Sequence, residues 1–240
     1  PPPIPVNPMR VTLHSHRRRT LYHSVQTPGY TCWTGLWRAA DRSLNVSFVE
    51  ARGPVDGWRP RGPASVLRRM PRANQEIPGY DMTGIALENV TLRSTDRGRT
   101  WRKVHVEPFA SVLNGFCNGF VTLEDGTLLR NLWGQSLTTS DLPATGLLQR
   151  SRDNGRTWEP PTLLSPDPRL QTWPKRLRRL RDGRVFLTGA ACPYDPATWT
   201  WEAQLPTVRP CFWISRDPSA TVWSEPVYLA PPGPDEVGEE

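Results

Sequence analysis

Three aspartates recur in one repeated segment, and they are the first residues of this chain that could perform acid–base chemistry. STDRGRTW occupies 94–101, SRDNGRTW occupies 151–158, and a divergent copy, SRDPSATVW, occupies 215–223. The composition of the segment favours a structural role, because Asp accepts hydrogen bonds from turn amides, Gly supplies a positive φ and Trp anchors the turn. We therefore expect these residues to stabilise hairpin turns and not to be catalytic. They are Ser94, Asp96, Gly98, Thr100, Trp101, Ser151, Asp153, Gly155, Thr157, Trp158, Ser215, Asp217 and Trp223.

A second group of charged residues, Glu50-Ala51-Arg52, has no counterpart in the other repeats of the chain. The matching positions hold small or apolar residues, Gly134 and Ser136 in one repeat and Ala191 and Pro193 in the next. A carboxylate beside a guanidinium is typical of a polar binding pocket, and a surface ion pair is the alternative.

The elements that must position these residues are short strands joined by acidic turns. Turns are indicated at Asp41-Arg42, Asp125-Gly126 and Asp182-Gly183, each between two apolar stretches that read as a hairpin. A third strand enters each repeated segment and a fourth leaves it, so that each unit has four strands. The repeated segments start 57 and 64 residues apart, a spacing typical of propeller blades. The two ends of each hairpin meet, which brings Thr31 close to Glu50 and Arg52.

The sequence therefore predicts an all-β fold, a β-propeller of which about three blades of four antiparallel strands are present. The chain is expected to form one partial propeller domain over 1–240. Its predicted parts are blade one at about 28–106 with an insertion at 53–84, blade two at about 110–162, blade three at about 170–229, and the start of a fourth blade at 230–240.

The segments STDRGRTW and SRDNGRTW resemble the Asp boxes, or BNR repeats, of the sialidase (neuraminidase) superfamily. That resemblance implies a six-bladed propeller with its boxes away from the active site. The first hairpin resembles the opening blade of the family in three places: Tyr30-Thr31-Cys32-Trp33, Glu50-Ala51-Arg52 and Asp56 just beyond it. By this resemblance Glu50 and Arg52 bind substrate, and Asp56 is the catalytic acid/base. Thr31, a further candidate for substrate binding, stands where the family has the first of three arginines that clamp the substrate carboxylate.

The resemblance implies six blades, and the sequence predicts about three. We therefore expect this sequence to be the N-terminal part of a longer chain. The stretch TLYHSVQ at 20–26 is then expected to be a strand that closes the ring. The tyrosine nucleophile and remaining clamp arginines of the family belong to later blades. Within the insertion, Trp58 is a candidate for stacking on a sugar, and the alternative is that the insertion packs on itself or is disordered.

Two functional hypotheses follow from these residues. The first is a sialidase-like glycoside hydrolase acting on terminal sugars of glycans, with no cofactor and no metal. The second is a non-catalytic propeller that binds carbohydrate or protein on its axial face, and Thr31 favours it. A propeller hydrolase with a different pair of carboxylates is a third possibility. The expected partner is a glycan or a small sugar ligand in each enzymatic case.

Composition excludes several other classes of protein. The net charge is +7, but all basic residues except Lys103 and Lys175 are arginines spread along the chain, which argues against a nucleic-acid surface. No apolar run approaches the length of a membrane span, and the first residues lack a signal-peptide core. The four cysteines show no metal-ligand spacing. Cys192 and Cys211 are predicted either to form a bridge or to be buried free thiols; the compartment and the oligomeric state stay open.

Overall fold

The computed structural model describes residues 15, 18–26, 28–52, 86–108, 119–132, 145–195, 197–198 and 201–229. The strands of this part of the chain form three four-stranded antiparallel sheets. Sheet 1 contains β1 (Pro28–Arg38), β2 (Leu44–Arg52), β3 (Ala86–Ser94) and β4 (Arg102–Pro108). Sheet 2 contains β5 (Phe120–Thr122), β6 (Leu128–Leu132), β7 (Leu147–Ser151) and β8 (Thr162–Leu163). Sheet 3 contains β9 (Leu170–Arg179), β10 (Val185–Pro193), β11 (Arg209–Ile214) and β12 (Val227–Tyr228). A short helix, α1 (Trp201–Gln204), and a 3-10 turn (Leu205–Thr207) precede β11.

The prediction of an all-β partial propeller is confirmed. In each sheet every strand pairs with the next strand of the chain, so that the first strand forms one edge and the fourth forms the other. The first strands, β1, β5 and β9, are neighbours: Thr122 donates to the carbonyl of Arg38 at 2.7 Å, and Arg176 donates to the carbonyl of Thr34 at 3.4 Å. These three strands and their turns line an open cavity of about 550 Å³. The sheets are thus blades whose first strands line one open cavity.

The three hairpin turns between first and second strands share one local device. The turn aspartate accepts the backbone N–H two residues later, and a residue between them has a positive φ. The three hydrogen bonds join Ser43 to Asp41 at 3.0 Å, Thr127 to Asp125 at 2.9 Å and Arg184 to Asp182 at 3.1 Å. The positive-φ residues are Arg42, Gly126 and Gly183, at 67°, 85° and 85°. All three turns lie at one end of the sheets, which we call the turn end.

Neighbouring sheets are held together by apolar side chains that alternate along the strands. Between sheets 2 and 3 the core includes Leu129, Leu148, Leu187 and Trp213, which are at most 1% exposed. Alternation of side chains in a strand places such residues on a single face of each sheet. Sheet 2 therefore buries one face against sheet 3, and its Leu128 and Leu147 pack with Trp37 of sheet 1 on the other face.

Residues 18–26, which we call the N-terminal strap, lie against sheet 1 without forming a strand. Tyr22 packs on Phe48 with ring centroids 5.0 Å apart. The closing strand predicted over 20–26 does not form in this structure, because a strand needs a partner backbone and the strap binds through side chains instead. The predicted insertion, 53–84, and the predicted start of a fourth blade, 230–240, lie outside the described residues.

Cys192 and Cys211 are both buried free thiols, which decides between the two predicted alternatives. Desolvation by burial raises the pKa of both thiols, that of Cys211 to about 12. The thiolate is the reactive form of cysteine, so both side chains serve as small apolar core residues.

Candidate functional site

The carboxylate of Asp96 is engaged within its own turn. It accepts the backbone N–H of Thr100 at 2.8 Å, the Thr100 hydroxyl at 2.6 Å and the Ser94 hydroxyl at 2.8 Å. Gly98 takes a φ of 85°, and the indole N–H of Trp101 donates to its carbonyl at 3.0 Å. Hydrogen bonds led by the Thr100 hydroxyl hold the pKa of Asp96 well below its ordinary value. A carboxylate kept ionised in this way holds no proton to donate near neutral pH.

The second repeated segment, 151–158, has the same arrangement. Asp153 accepts the backbone N–H of Thr157 at 2.9 Å, the Thr157 hydroxyl at 2.7 Å and the Ser151 hydroxyl at 2.7 Å. Gly155 takes a φ of 87°. Partial burial alone would raise the pKa of Asp153, but the bonds from Thr157 and Ser151 outweigh it and lower the pKa to about 2.

The divergent third segment, 215–223, keeps the turn with different partners. Asp217 accepts the backbone N–H of Ser219 at 2.8 Å, and Ala220 takes the positive φ, 53°, that glycine has in the other copies. The indole N–H of Trp223 donates to the carbonyl of Ala220 at 3.1 Å. In all three copies the aspartate is therefore bound to its own turn.

A pH dependence of stability follows from Asp153. Its folded-state pKa of about 2 lies below the ordinary value of 3.8, so its contribution to stability is present above pH 4 and is lost as the pH falls towards 2. We expect Asp153→Asn to be less stable than wild type at pH 7, and the difference in free energy of unfolding to shrink steadily from pH 5 to pH 2. Denaturant titrations across this range measure it. A difference that stays constant with pH would contradict the assignment.

The end of sheet 1 opposite the turns carries the predicted binding residues. Strand pairing places Thr31 opposite Glu50 on β2, and Glu50 opposite Glu88 on β3. Ser94, where the first repeated segment begins, pairs with Leu44 next to the hairpin turn. At about 3.3 Å per residue, the start and the end of β3 are about 26 Å apart. The repeated segments and the predicted binding residues thus occupy opposite ends of the blade, and we call the second one the far end.

Glu50 is buried at the far end, with 2% of its surface exposed. Its carboxylate accepts a hydrogen bond from the hydroxyl of Tyr22 at 2.8 Å and another from the hydroxyl of Ser24. Both residues belong to the N-terminal strap. The ammonium group of Lys103 lies 3.9 Å from the other carboxylate oxygen and 5.1 Å from the centre of the Tyr22 ring. The structure therefore places Glu50 beneath the strap, with its charge compensated by Lys103.

Arg52 pairs with Glu88 rather than with Glu50. Its guanidinium lies 2.7 Å from the Glu88 carboxylate, and the two side chains are 50% and 24% exposed. An exposed pair of this kind contributes about 0–1 kcal/mol to stability. Because half of the Arg52 side chain is exposed, its guanidinium is accessible to a ligand. Thr31 is exposed on the neighbouring strand.

Sequence reasoning missed Glu88, Lys103 and the strap residues Tyr22 and Ser24. The strand ENVTLRS was predicted, but its pairing register with β2 was not, and that register brings Glu88 to Arg52. Asp56, the predicted acid/base, and Trp58, the predicted stacking residue, lie outside the described residues.

The described residues contain no group of three or more His, Cys, Asp or Glu side chains placed to hold a metal ion. Among the helices of the described ranges, none has the length and apolar composition needed to cross a membrane.

No protein-family model matches this chain, and no curated protein matches it significantly. Among solved structures, it resembles a Dyadobacter fermentans protein of unknown function, with 16% identity and a TM-score of 0.50 over 88% of this chain and 55% of that one. A Hadza microbial sialidase matches at 20% identity and a TM-score of 0.44, over 82% and 37% of the two chains. An alpha-L-arabinanase from Penicillium chrysogenum, complexed with arabinobiose, matches at 17% identity and a TM-score of 0.45, over 86% and 51%. The chain spans about half of these structures or less, and at such identity the likeness concerns the fold alone.

Proposed function

We propose that this chain belongs to a sialidase-type glycoside hydrolase that removes terminal sugars from glycans. The observation that carries the proposal is the separation of roles between the two ends of the blades. The repeated aspartates are bound to their turns, whereas Arg52 offers a half-exposed guanidinium at the far end. A guanidinium presents planar, paired N–H donors that suit a carboxylate or adjacent hydroxyl groups of an acidic sugar.

Each residue of the proposed site has a separate task. Arg52 binds the substrate, and Glu88 fixes the orientation of its guanidinium through the contact at 2.7 Å. Asp56 follows Arg52 by four positions and protonates the leaving oxygen as general acid. Trp58 stacks on a sugar face. Glu50 acts from beneath the site, since it holds the strap residue Tyr22 at 2.8 Å.

The second candidate function is carbohydrate binding without catalysis. Two observations favour it: Thr31 offers a short hydroxyl beside Glu50, and the Glu50 carboxylate is already occupied by Tyr22 and Ser24. In this case Arg52 still binds the sugar, but no bond is cleaved. Turnover of a glycoside by the intact protein separates the two functions.

The test of the binding site is the substitution of Arg52. We expect Arg52→Ala to lower kcat/KM for a sialoside, or the affinity if there is no turnover, by about 10- to 100-fold, because a charge-assisted pair is lost. Arg52→Lys restores the charge without the paired donors and should recover only part of the effect. Arg216→Ala, an exposed arginine of the third repeated segment and so remote from the far end, is the matched control and should behave like wild type. Equal losses in Arg52→Ala and Arg216→Ala would contradict a site at Arg52.

A further inference from the structure

Two rows of side chains face each other where sheet 1 packs against sheet 2, and the row on sheet 2 includes the paired residues Phe120 and Arg130. Strand pairing puts Trp37, Asn45, Arg93 and Arg102 in one row across sheet 1. Paired residues of antiparallel strands point to the same face of the sheet. The rings of Trp37 and Phe120, the latter on sheet 2, stack with centroids 4.2 Å apart. The interface between these blades therefore combines stacked aromatic rings with charged groups.

A cavity of about 70 Å³ lies between these rows. Its lining includes residues of sheet 1, residues of sheet 2 and residues 154–156 of the second repeated segment. A space of this size holds a small ion together with water. The cavity lies towards the turn end, because Arg93 and Arg102 adjoin the first repeated segment. It is therefore separate from the site around Arg52.

Two buried hydrogen-bond donors at this cavity have no partner among the described residues. They are Nε of Arg93 and Nε1 of Trp158. Both atoms belong to residues that line the cavity, and both can only donate. Buried donors are rarely left unsatisfied, so a ligand in the cavity could supply the acceptors that the described residues do not.

The charge of the lining distinguishes an anion from neutral water. Among the described residues, four arginines line the cavity, Arg93, Arg102, Arg130 and Arg156, and Arg102 and Arg156 are exposed; the lining carboxylate is Glu107. Glu107 is already paired with Arg130 at 2.6 Å, and Arg130 also donates to Gln149 at 2.8 and 3.0 Å. Asp41 pairs with Arg93 through Nη2, which leaves Nε without an acceptor. Water would accept hydrogen bonds but would not offset the charge of Arg102 and Arg156, for which the described residues provide no salt bridge.

We propose that this cavity binds a small inorganic anion, either a halide or a small oxyanion. The ion accepts hydrogen bonds from Arg93 on sheet 1 and from Trp158 on sheet 2, and thereby joins the first two blades. Its charge is offset by the surrounding guanidinium groups, and the Arg130 guanidinium, 3.7 Å from the centre of the Trp158 ring, holds that ring in place.

The test compares anions that fit the cavity with one that does not. Thermal unfolding of the chain is followed in chloride, in phosphate and in gluconate at equal ionic strength, and the melting temperature is plotted against concentration. We expect a saturable rise with chloride if the site takes a halide, or with phosphate if it takes an oxyanion, and no such rise with gluconate. The same rise in all three salts would reflect ionic strength alone and would overturn the proposal.

Two conservative variants link this effect to the cavity. Arg93→Lys keeps the charge but lacks Nε, and Trp158→Phe keeps a ring but lacks the indole N–H. Each should raise the anion concentration needed for half-maximal stabilisation at least several-fold. This readout does not depend on the variant's own stability. Arg216→Gln, at an exposed arginine of the third repeated segment, is the control and should leave the half-saturating concentration unchanged. Unchanged values in both cavity variants would overturn the proposal, as would crystals soaked separately in bromide and in selenate that both lack anomalous density in the cavity.

Discussion

Asp56→Ala is expected to slow glycoside cleavage by the intact protein about 10²- to 10⁴-fold, while its melting temperature stays nearly unchanged. This is the range that a positioned general acid contributes. The reason is that the leaving oxygen must take a proton as the glycosidic bond breaks. The repeated aspartates cannot supply it, since hydrogen bonds keep Asp153 ionised with a pKa of about 2.

The choice of substrate makes this prediction sharper. A nitrophenolate leaving group needs little protonation, whereas a sugar that leaves through its hydroxyl oxygen must be protonated. Asp56→Ala should therefore reduce release of nitrophenolate much less than release of the sugar. Asp182→Ala, in a hairpin turn at the turn end, is the matched control and should cleave both substrates at the wild-type rate. Equal rates for wild type and Asp56→Ala on the sugar substrate would show that Asp56 is not the acid.

Trp213→Ala is expected to reduce the free energy of unfolding by about 3–5 kcal/mol, as for the removal of a large buried aromatic side chain. Trp213 is 0% exposed and lies in the core that joins sheets 2 and 3. Its removal leaves a cavity that the surrounding strands cannot fill without shifting. Denaturant unfolding of the chain measures the loss.

Two further variants separate packing from polarity at this position. The indole N–H of Trp213 is buried without a partner among the described residues, so Trp213→Phe removes an unsatisfied donor and should cost much less than Trp213→Ala. Gly189→Ala should also destabilise, because its Cβ would lie 2.9 Å from the Trp213 ring and 2.5 Å from the carbonyl of Trp173. A loss below about 1 kcal/mol in Trp213→Ala would contradict a rigid core here.

The three sheets could be predicted because the chain repeats its local signals. The acidic turns at Asp41, Asp125 and Asp182 mark each hairpin, and the apolar stretches on either side of each turn form its two strands. Local signals of this kind need no knowledge of distant contacts. For that reason the sequence predicts the four-strand unit and its order.

The surroundings of the candidate site could not be predicted in the same way. Tyr22 reaches Glu50 from 28 residues away, and Glu88 reaches Arg52 across an insertion of more than 30 residues. These contacts depend on how a strap and two strands pack, and neither periodicity nor residue type encodes that packing. The sequence therefore identifies Glu50 and Arg52 as unusual without revealing that they have different partners.

The most direct measurement is a crystal structure of the intact protein soaked with a sialic-acid analogue at a saturating concentration. We predict density for the ligand at the far end, with its carboxylate or hydroxyl groups within hydrogen-bond distance of the Arg52 guanidinium. The three repeated segments should stay unchanged and bind no sugar. Ligand bound at the turn end, or no density beside Arg52, would contradict the assignment of the two ends.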